Sequence, residues 1–207
     1  VAPARPGWIF SPDSRAEAVS GSNVVGADFA VTWVPAAEPI AGLGDLGNQG
    51  AFEVFRGNTT GLTHQSWIVV PWARYCTTNG EVRPATGDVD GDGLDEIVLG
   101  LGVFPSAGGW AIVLDDARHD HAVLRWLRIP DLTYNARNGE SWPACGDVDG
   151  DGRDEVVLGT GHAPGVAGFA QVFDDAAAGF APMARVSCGR AAYIAASGEV
   201  RPACGDV

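Results

Sequence analysis

The chain has 207 residues, 46% of them hydrophobic, enough to bury one core of ordinary size or a short array of small ones, which speaks against disorder. Thirteen basic residues, all arginine, face 26 acidic ones, giving a formal charge of −13 and a pI near 4.5. Such a polyanion repels phosphate backbones and anionic lipid surfaces and attracts cations, so nucleic acid and membranes are disfavoured as partners.

In chain order, residues 1–20 form a lead whose GWIFSPDSRA (7–16) faintly echoes a later GWAIVLDDAR and reads as an incomplete unit. Residues 21–79 contain QGAFEVF (49–55), Trp67, Pro71 and Tyr75, which stand 59 positions before GGWAIVL, Trp126, Pro130 and Tyr134. They form a worn copy: around Asp28 the alternation Phe29, Val31, Trp33 predicts a strand, but no carboxylate cluster remains. Residues 80–138 open with GEVRPATGDVDGDGLDEIVLGLG, and residues 139–197 answer with GESWPACGDVDGDGRDEVVLGTG. Residues 198–207, GEVRPACGDV, begin the phrase a third time, so that Asp88, Asp147 and Asp206 are each 59 residues apart. A fixed period of this size marks stacked supersecondary units, each too small to bury its own faces.

Within a unit, the runs RPAxGDV, DEIVLGLG, GGWAIVLDD and AVLRWLRIP are short, rich in Val, Ile, Leu and Trp, and broken by Gly, Asp and Pro, which is a strand pattern. Helix is confined to single turns near WARYCTTN and LTYNARN. The expected fold is therefore all-β, with one four-stranded antiparallel sheet per 59-residue unit. Four strands per unit favours β-propeller blades over a solenoid. About three and a half blades are present where a propeller needs roughly four to eight, so the expectation is part of a larger, about seven-bladed propeller. A self-completing oligomer and an open or four-bladed form are the alternatives.

The repeated phrase carries the chemistry. D-x-D-G-D-G-x-x-E places carboxylates at positions 1, 3, 5 and 9, and its glycines allow the positive φ of a tight loop. Asp88, Asp90, Asp92, the Leu94 carbonyl and Glu96 would converge in the first copy, and Asp147, Asp149, Asp151, the Arg153 carbonyl and Glu155 in the second. Six or seven hard oxygens suit Ca²⁺ better than Mg²⁺, so two Ca²⁺ sites are predicted. Two carboxylates about 4 Å apart repel by roughly 4 kcal/mol at an effective dielectric of about 20, so an empty loop opposes its own compaction. A plain solvated turn is the competing reading; two near-identical copies at one period argue against it. The phrase also differs from an EF-hand, since Leu99 or Leu158 occupies the twelfth position and strand sequence follows.

On these residues the repeat resembles the FG-GAP/VCBS family of integrin α-subunit propellers, propeller lectins and many exported bacterial proteins, clearly over residues 80–207 and weakly over 21–79. The resemblance implies that the loop joins the first two strands of a blade and holds Ca²⁺. The family often has Asp at position 9; here Asp95 or Glu96, and Asp154 or Glu155, remain as the inward carboxylate.

Histidines 64, 119, 121 and 162 join no recognisable nucleophile or metal motif, with HDH (119–121) expected to face solvent, and GLGDLG (42–47) opens no helix, so no enzyme activity is predicted. Four cysteines (Cys76, Cys145, Cys188, Cys204) permit up to two disulfides or buried free thiols. No apolar stretch is long enough to span a bilayer, and Val1 in place of Met fits a processed chain, so a secreted or cell-surface location is expected. The expected function is a Ca²⁺-stiffened, non-catalytic binding, adhesion or scaffold module for glycan or protein, with Trp72, Tyr75 and Tyr134 as candidate stacking faces. Alternatives are the scaffold of an extracellular polysaccharide lyase or hydrolase, and an accessory subunit of a larger extracellular assembly joined by further blades or another chain.

Overall fold

The computed structural model describes residues 8–11, 30–33, 40–42, 50–58, 61–104 and 107–205. Asp28, residues 43–49, Asp206 and Val207, on which some sequence readings fall, lie outside them. The architecture is all-β, a series of antiparallel sheets in which each strand pairs with its neighbour in sequence. β1 (Trp8–Ser11) pairs with β2 (Ala30–Trp33); β3 (Ile40–Gly42), β4 (Ala51–Asn58) and β5 (Gly61–Val69) form a three-stranded sheet. Two four-stranded sheets follow. The first contains β6 (Val82–Gly87), β7 (Glu96–Leu101), β8 (Trp110–Leu114) and β9 (Val123–Arg128), and the second contains β10 (Ser141–Gly146), β11 (Glu155–Thr160), β12 (Phe169–Phe173) and β13 (Pro182–Ser187). One-and-a-half-turn helices, α1 (Ala73–Thr78), α2 (Leu132–Arg137) and α3 (Ala191–Ala196), end the last three units. The predicted strand near Phe29 is β2, but it pairs with β1 rather than with the unit that follows it. Among the described residues, no helix is long and apolar enough to cross a membrane.

Both faces of a middle sheet are covered, which explains why β7 reads EIVLGL without polar alternation and is buried throughout. Ile97, Leu99 and Leu101, with Ile112 and Leu114, pack on Phe52, Val54, Val70 and Tyr75 of the preceding unit. Val98, Ala111, Val113 and Leu127 point the other way, into a core shared with Val156, Leu158, Phe169 and Phe173 of the next. The two-residue period of the strands thus assigns alternate side chains to alternate neighbours. Pro84 and Pro143 fall on β6 and β10, edge strands with one hydrogen-bonded partner each, where a missing N–H is tolerated.

Two devices set how closely the units approach. A Cβ on Gly100 would overlap the Ser141 carbonyl and meet Pro143 Cδ at 2.6 Å, and one on Gly159 would overlap the Val200 carbonyl and meet Pro202 Cδ at 2.6 Å. Residues 198–205 therefore lie against β11 as β10 lies against β7. The second device is a tyrosine on each helix. Helix α2 is nucleated by Asp131, whose side chain accepts the Tyr134 amide at 2.9 Å, and is followed by Gly139 at φ 71°. From it the Tyr134 hydroxyl donates to the Glu140 carbonyl at 2.6 Å and accepts from the Gly161 amide of the next unit at 2.6 Å. Tyr75 repeats the arrangement with the Glu81 carbonyl and the Gly102 amide. Among the described residues the Tyr193 hydroxyl of α3 reaches only the Glu199 carbonyl at 2.7 Å, and Tyr193 is 41% exposed.

Replacing Tyr134 by Phe leaves the buried Gly161 amide without its acceptor. The expected cost is about 1–3 kcal/mol, read as a lowered urea midpoint at unchanged m-value. Tyr193→Phe, whose hydroxyl water can replace, is expected to cost under about 0.5 kcal/mol; equal losses at both positions would contradict the tie.

Candidate metal centre

The two acidic phrases fold into loops of one design, each joining the first and second strands of its sheet. Positive φ at Gly91 (81°) and Gly93 (88°), and at Gly150 (84°) and Gly152 (92°), turns the chain twice in quick succession. The first-position carboxylate caps both turns: Asp88 Oδ1 accepts the Gly91 amide at 2.8 Å and Oδ2 the Gly93 amide at 2.9 Å, while Asp147 does the same for Gly150 and Gly152 at 2.6 and 3.0 Å. Asp90 and Asp149 accept the amides of Asp92 and Asp151, and those in turn accept the amides of Leu94 and Arg153. Each carboxylate is thus held by its loop's own backbone.

The ninth position closes the loop. Glu96 is wholly buried, and its Oε2 accepts the amides of Val89 (2.9 Å) and Asp90 (3.3 Å); Glu155 is equally buried, with Oε2 accepting from Val148 at 2.7 Å. The other oxygen of each, Oε1, is buried without a partner. Between the neighbouring candidates Asp95/Glu96 and Asp154/Glu155, the glutamates therefore turn inward. Asp154 turns to the preceding loop instead: its Oδ2 accepts the Asp88 amide at 3.2 Å, its own amide donates to the Asp88 carbonyl at 2.9 Å, and Arg153 Nε donates to the Asp90 carbonyl at 3.3 Å.

Oxygens of Asp88, Asp90 and Glu96 lie within 4.8 Å of one another, as do those of Asp147, Asp149 and Glu155. Asp92 groups with Glu96 and with Asp116, a residue after β8 to which the sequence reading gave no role, although the Asp-Asp pairs 115–116 and 174–175 recur at the same period. Among the described residues Asp151 joins no such group; its Oδ2 lies 3.4 Å from Arg153 Nη1. Leu94 and Arg153, the expected carbonyl ligands, are fixed through their amides, which donate to Asp92 and Asp151.

Electrostatics reinforces the geometry. Burial, followed by the Asp90 charge, pushes the Glu96 carboxyl up to about 8, and burial likewise raises Glu155, Asp90 and Asp154. Burial thus disfavours the charged forms, most strongly that of Glu96, which a proton or a cation would neutralise. An all-oxygen donor set with one unpartnered buried oxygen per loop fits a hard divalent ion.

Two of the candidate stacking faces are not available. Tyr75 and Tyr134 are fully buried between units, and partly buried Trp72 stacks on Tyr75 and packs against Phe104, with ring centroids 5.6 and 4.6 Å apart. The cysteines are all free thiols. His119 faces solvent as expected, although its Nδ1 is held 3.0 Å from Asp115 Oδ1. No protein-family model, curated protein or solved structure matches the chain.

The raised carboxyls set a pH dependence for the metal-free protein. Folded Glu96 keeps its proton up to about pH 8, whereas the unfolded chain releases it at the ordinary value of 4.5. In that interval the folded state binds more protons, so its stability is greatest at low pH and falls as pH rises through about 8. Urea midpoints in chelator are expected to be higher near pH 5 than near pH 8, with the difference reduced in Glu96→Gln; a profile that rises with pH would contradict the assignment.

Proposed function

We propose that the chain is a Ca²⁺-binding β-propeller segment of FG-GAP/VCBS type, exported, acting as a non-catalytic binding or scaffold module for glycan or protein. One observation carries the reading: two loops 59 residues apart share one hydrogen-bond pattern, and each ends in a wholly buried glutamate with one oxygen unpartnered. Regular antiparallel meanders stacked face to face by buried tyrosines and close glycine contacts support the propeller part of the proposal. Asp88, Asp90, Asp92 and Glu96 would hold one ion, and Asp147, Asp149 and Glu155 the other. The ion supplies the positive charge that lets these carboxylates converge. Its binding free energy then adds to the folding free energy of the flanking strands.

Calcium at about a hundredfold excess over its dissociation constant stabilises by about 2.7 kcal/mol per site, which for a chain of this size means several degrees of melting temperature. Chelator is expected to lower the midpoint by at least that much, and Asp90→Ala and Asp149→Ala each to remove one bound ion, counted by calorimetry. A melt indifferent to chelator would sink the metal reading. Glycan-array binding with and without chelator tests the binding role separately: calcium-dependent retention of a glycan class supports it, and degradation of a polysaccharide would replace it with the lyase or hydrolase alternative.

A further inference from the structure

The two loops are built alike, but the carboxylates that approach them from the next hairpin are not treated alike. After β12, Asp175 is 2% exposed, and its Oδ1 accepts the Ala178 amide at 2.7 Å. Its Oδ2 lies 3.5 Å from Arg153 Nη1, the nitrogen that also lies 3.4 Å from Asp151 Oδ2. The second loop thus carries its own cation, at position 7, between its fifth-position carboxylate and the carboxylate of the hairpin.

In the first loop position 7 is Leu94, which has no charge to offer. Asp116, the counterpart of Asp175, is 3% exposed. Its Oδ1 accepts the Arg118 amide at 2.5 Å and lies 3.6 Å from His119 Nδ1, while its Oδ2 is buried without a partner. Asp92, Glu96 and Asp116 each bring an oxygen within 4.8 Å of the others, and Glu96 contributes its own unpartnered Oε1 to the same neighbourhood. The nearby basic groups touch only the edge of this group: half-exposed Arg118 lies 3.4 Å from Asp92 Oδ2 and His119 Nδ1 lies 3.0 Å from Asp115, while Asp116 Oδ2 and Glu96 Oε1 remain unpartnered. Two buried carboxylates with open oxygens in one group need a proton or a cation between them, and a bound cation serves both.

We propose that Asp116 is a further ligand of the first metal centre, and that the second centre has exchanged this ligand for the Arg153–Asp175 ion pair. Resting on the calcium reading, the proposal makes the two centres unequal. The fifth-position carboxylates Asp92 and Asp151 each lie 3.4 Å from an arginine, Arg118 and Arg153; beyond them the first centre offers Asp88, Asp90, Glu96 and Asp116, and the second Asp147, Asp149 and Glu155. Calcium affinity rises with the number of charged ligands, so the first centre binds more tightly.

The test is calorimetric calcium titration of the chelator-stripped chain, with the two sites assigned by Asp90→Ala and Asp149→Ala. Loss of a group that merely supports a ligand weakens metal sites by about ten- to a hundredfold, so loss of a direct ligand is expected to weaken one by at least about tenfold. Asp116→Asn, which keeps the acceptor for the Arg118 amide, is expected to weaken the first site by that factor and leave the second unchanged, whereas Asp175→Asn is expected to spare the first. A reciprocal exchange guards against a folding defect in any one variant: Leu94→Arg should weaken the first site and Arg153→Leu should tighten the second. Calcium uptake by the unaltered chain with Asp116→Asn unchanged overturns this inference alone, as does an exchange that leaves the order of affinities in place. An unaltered chain that takes up no calcium overturns the inference and the calcium reading together.

Discussion

The constraint on which the molecule turns is a glutamate with no access to water at the start of the second strand of each four-stranded sheet. Glu96 and Glu155 reach back to the amides that begin their own loops, so the side chain that closes the loop also fixes where the strand starts. A buried carboxylate costs several kcal/mol unless it is neutralised. The backbone amides compensate one oxygen of each, and the other awaits a proton or a cation. Strand register, loop curvature and charge are therefore decided at one residue, and a change in charge state there is felt by the sheet.

What happens at one loop reaches the next through short, direct contacts. Asp154 exchanges two hydrogen bonds with the backbone of Asp88, Arg153 binds the Asp90 carbonyl, and the Ala176 amide donates to the Val89 carbonyl at 2.9 Å. The acidic residue that does not turn inward thus becomes the tie between loops. In repeat proteins stability is approximately a sum of intrinsic and nearest-neighbour terms, and here part of the nearest-neighbour term runs through residues adjacent to the candidate ligands. Ordering one loop fixes the backbone on which the next is built.

Much of this was legible in the residues. The 59-residue period and the short apolar runs correctly indicated the strands from β6 to β13, because stacked units repeat their environment and hence their composition. The acidic loops were legible for the same reason. Contacts between units were not: in the second loop Glu155 rather than Asp154 turns inward because Asp154 faces the backbone of Asp88 in the preceding unit, and no local pattern encodes that contact. Tyr75 and Tyr134 misled for a related reason. Recurring aromatic residues beside Pro and Gly suit a stacking surface as well as a packing role, and only the hydroxyl contacts to Gly102 and Gly161 decide between them. Pairing of β2 with β1 escaped because short strands of similar composition carry little register information.

The worn unit separates two kinds of adhesion. Residues 40–78 supply three strands and a helix, and the acidic phrase of the later units is missing from the sequence before them, yet Tyr75 still binds the Gly102 amide and Gly42 still admits the Val82 carbonyl and Pro84 of the following sheet. Stacking through tyrosine, glycine and apolar faces therefore works without a carboxylate loop. If the loops were needed to hold sheets together, the unit lacking one should pack worst on its neighbour; instead Phe52 and Val54 are fully buried against Leu99 and Ile112. The loops add a local, charge-dependent element to units already able to stack. That independence is what leaves them free to diverge, as Leu94 and Arg153 have at the same position.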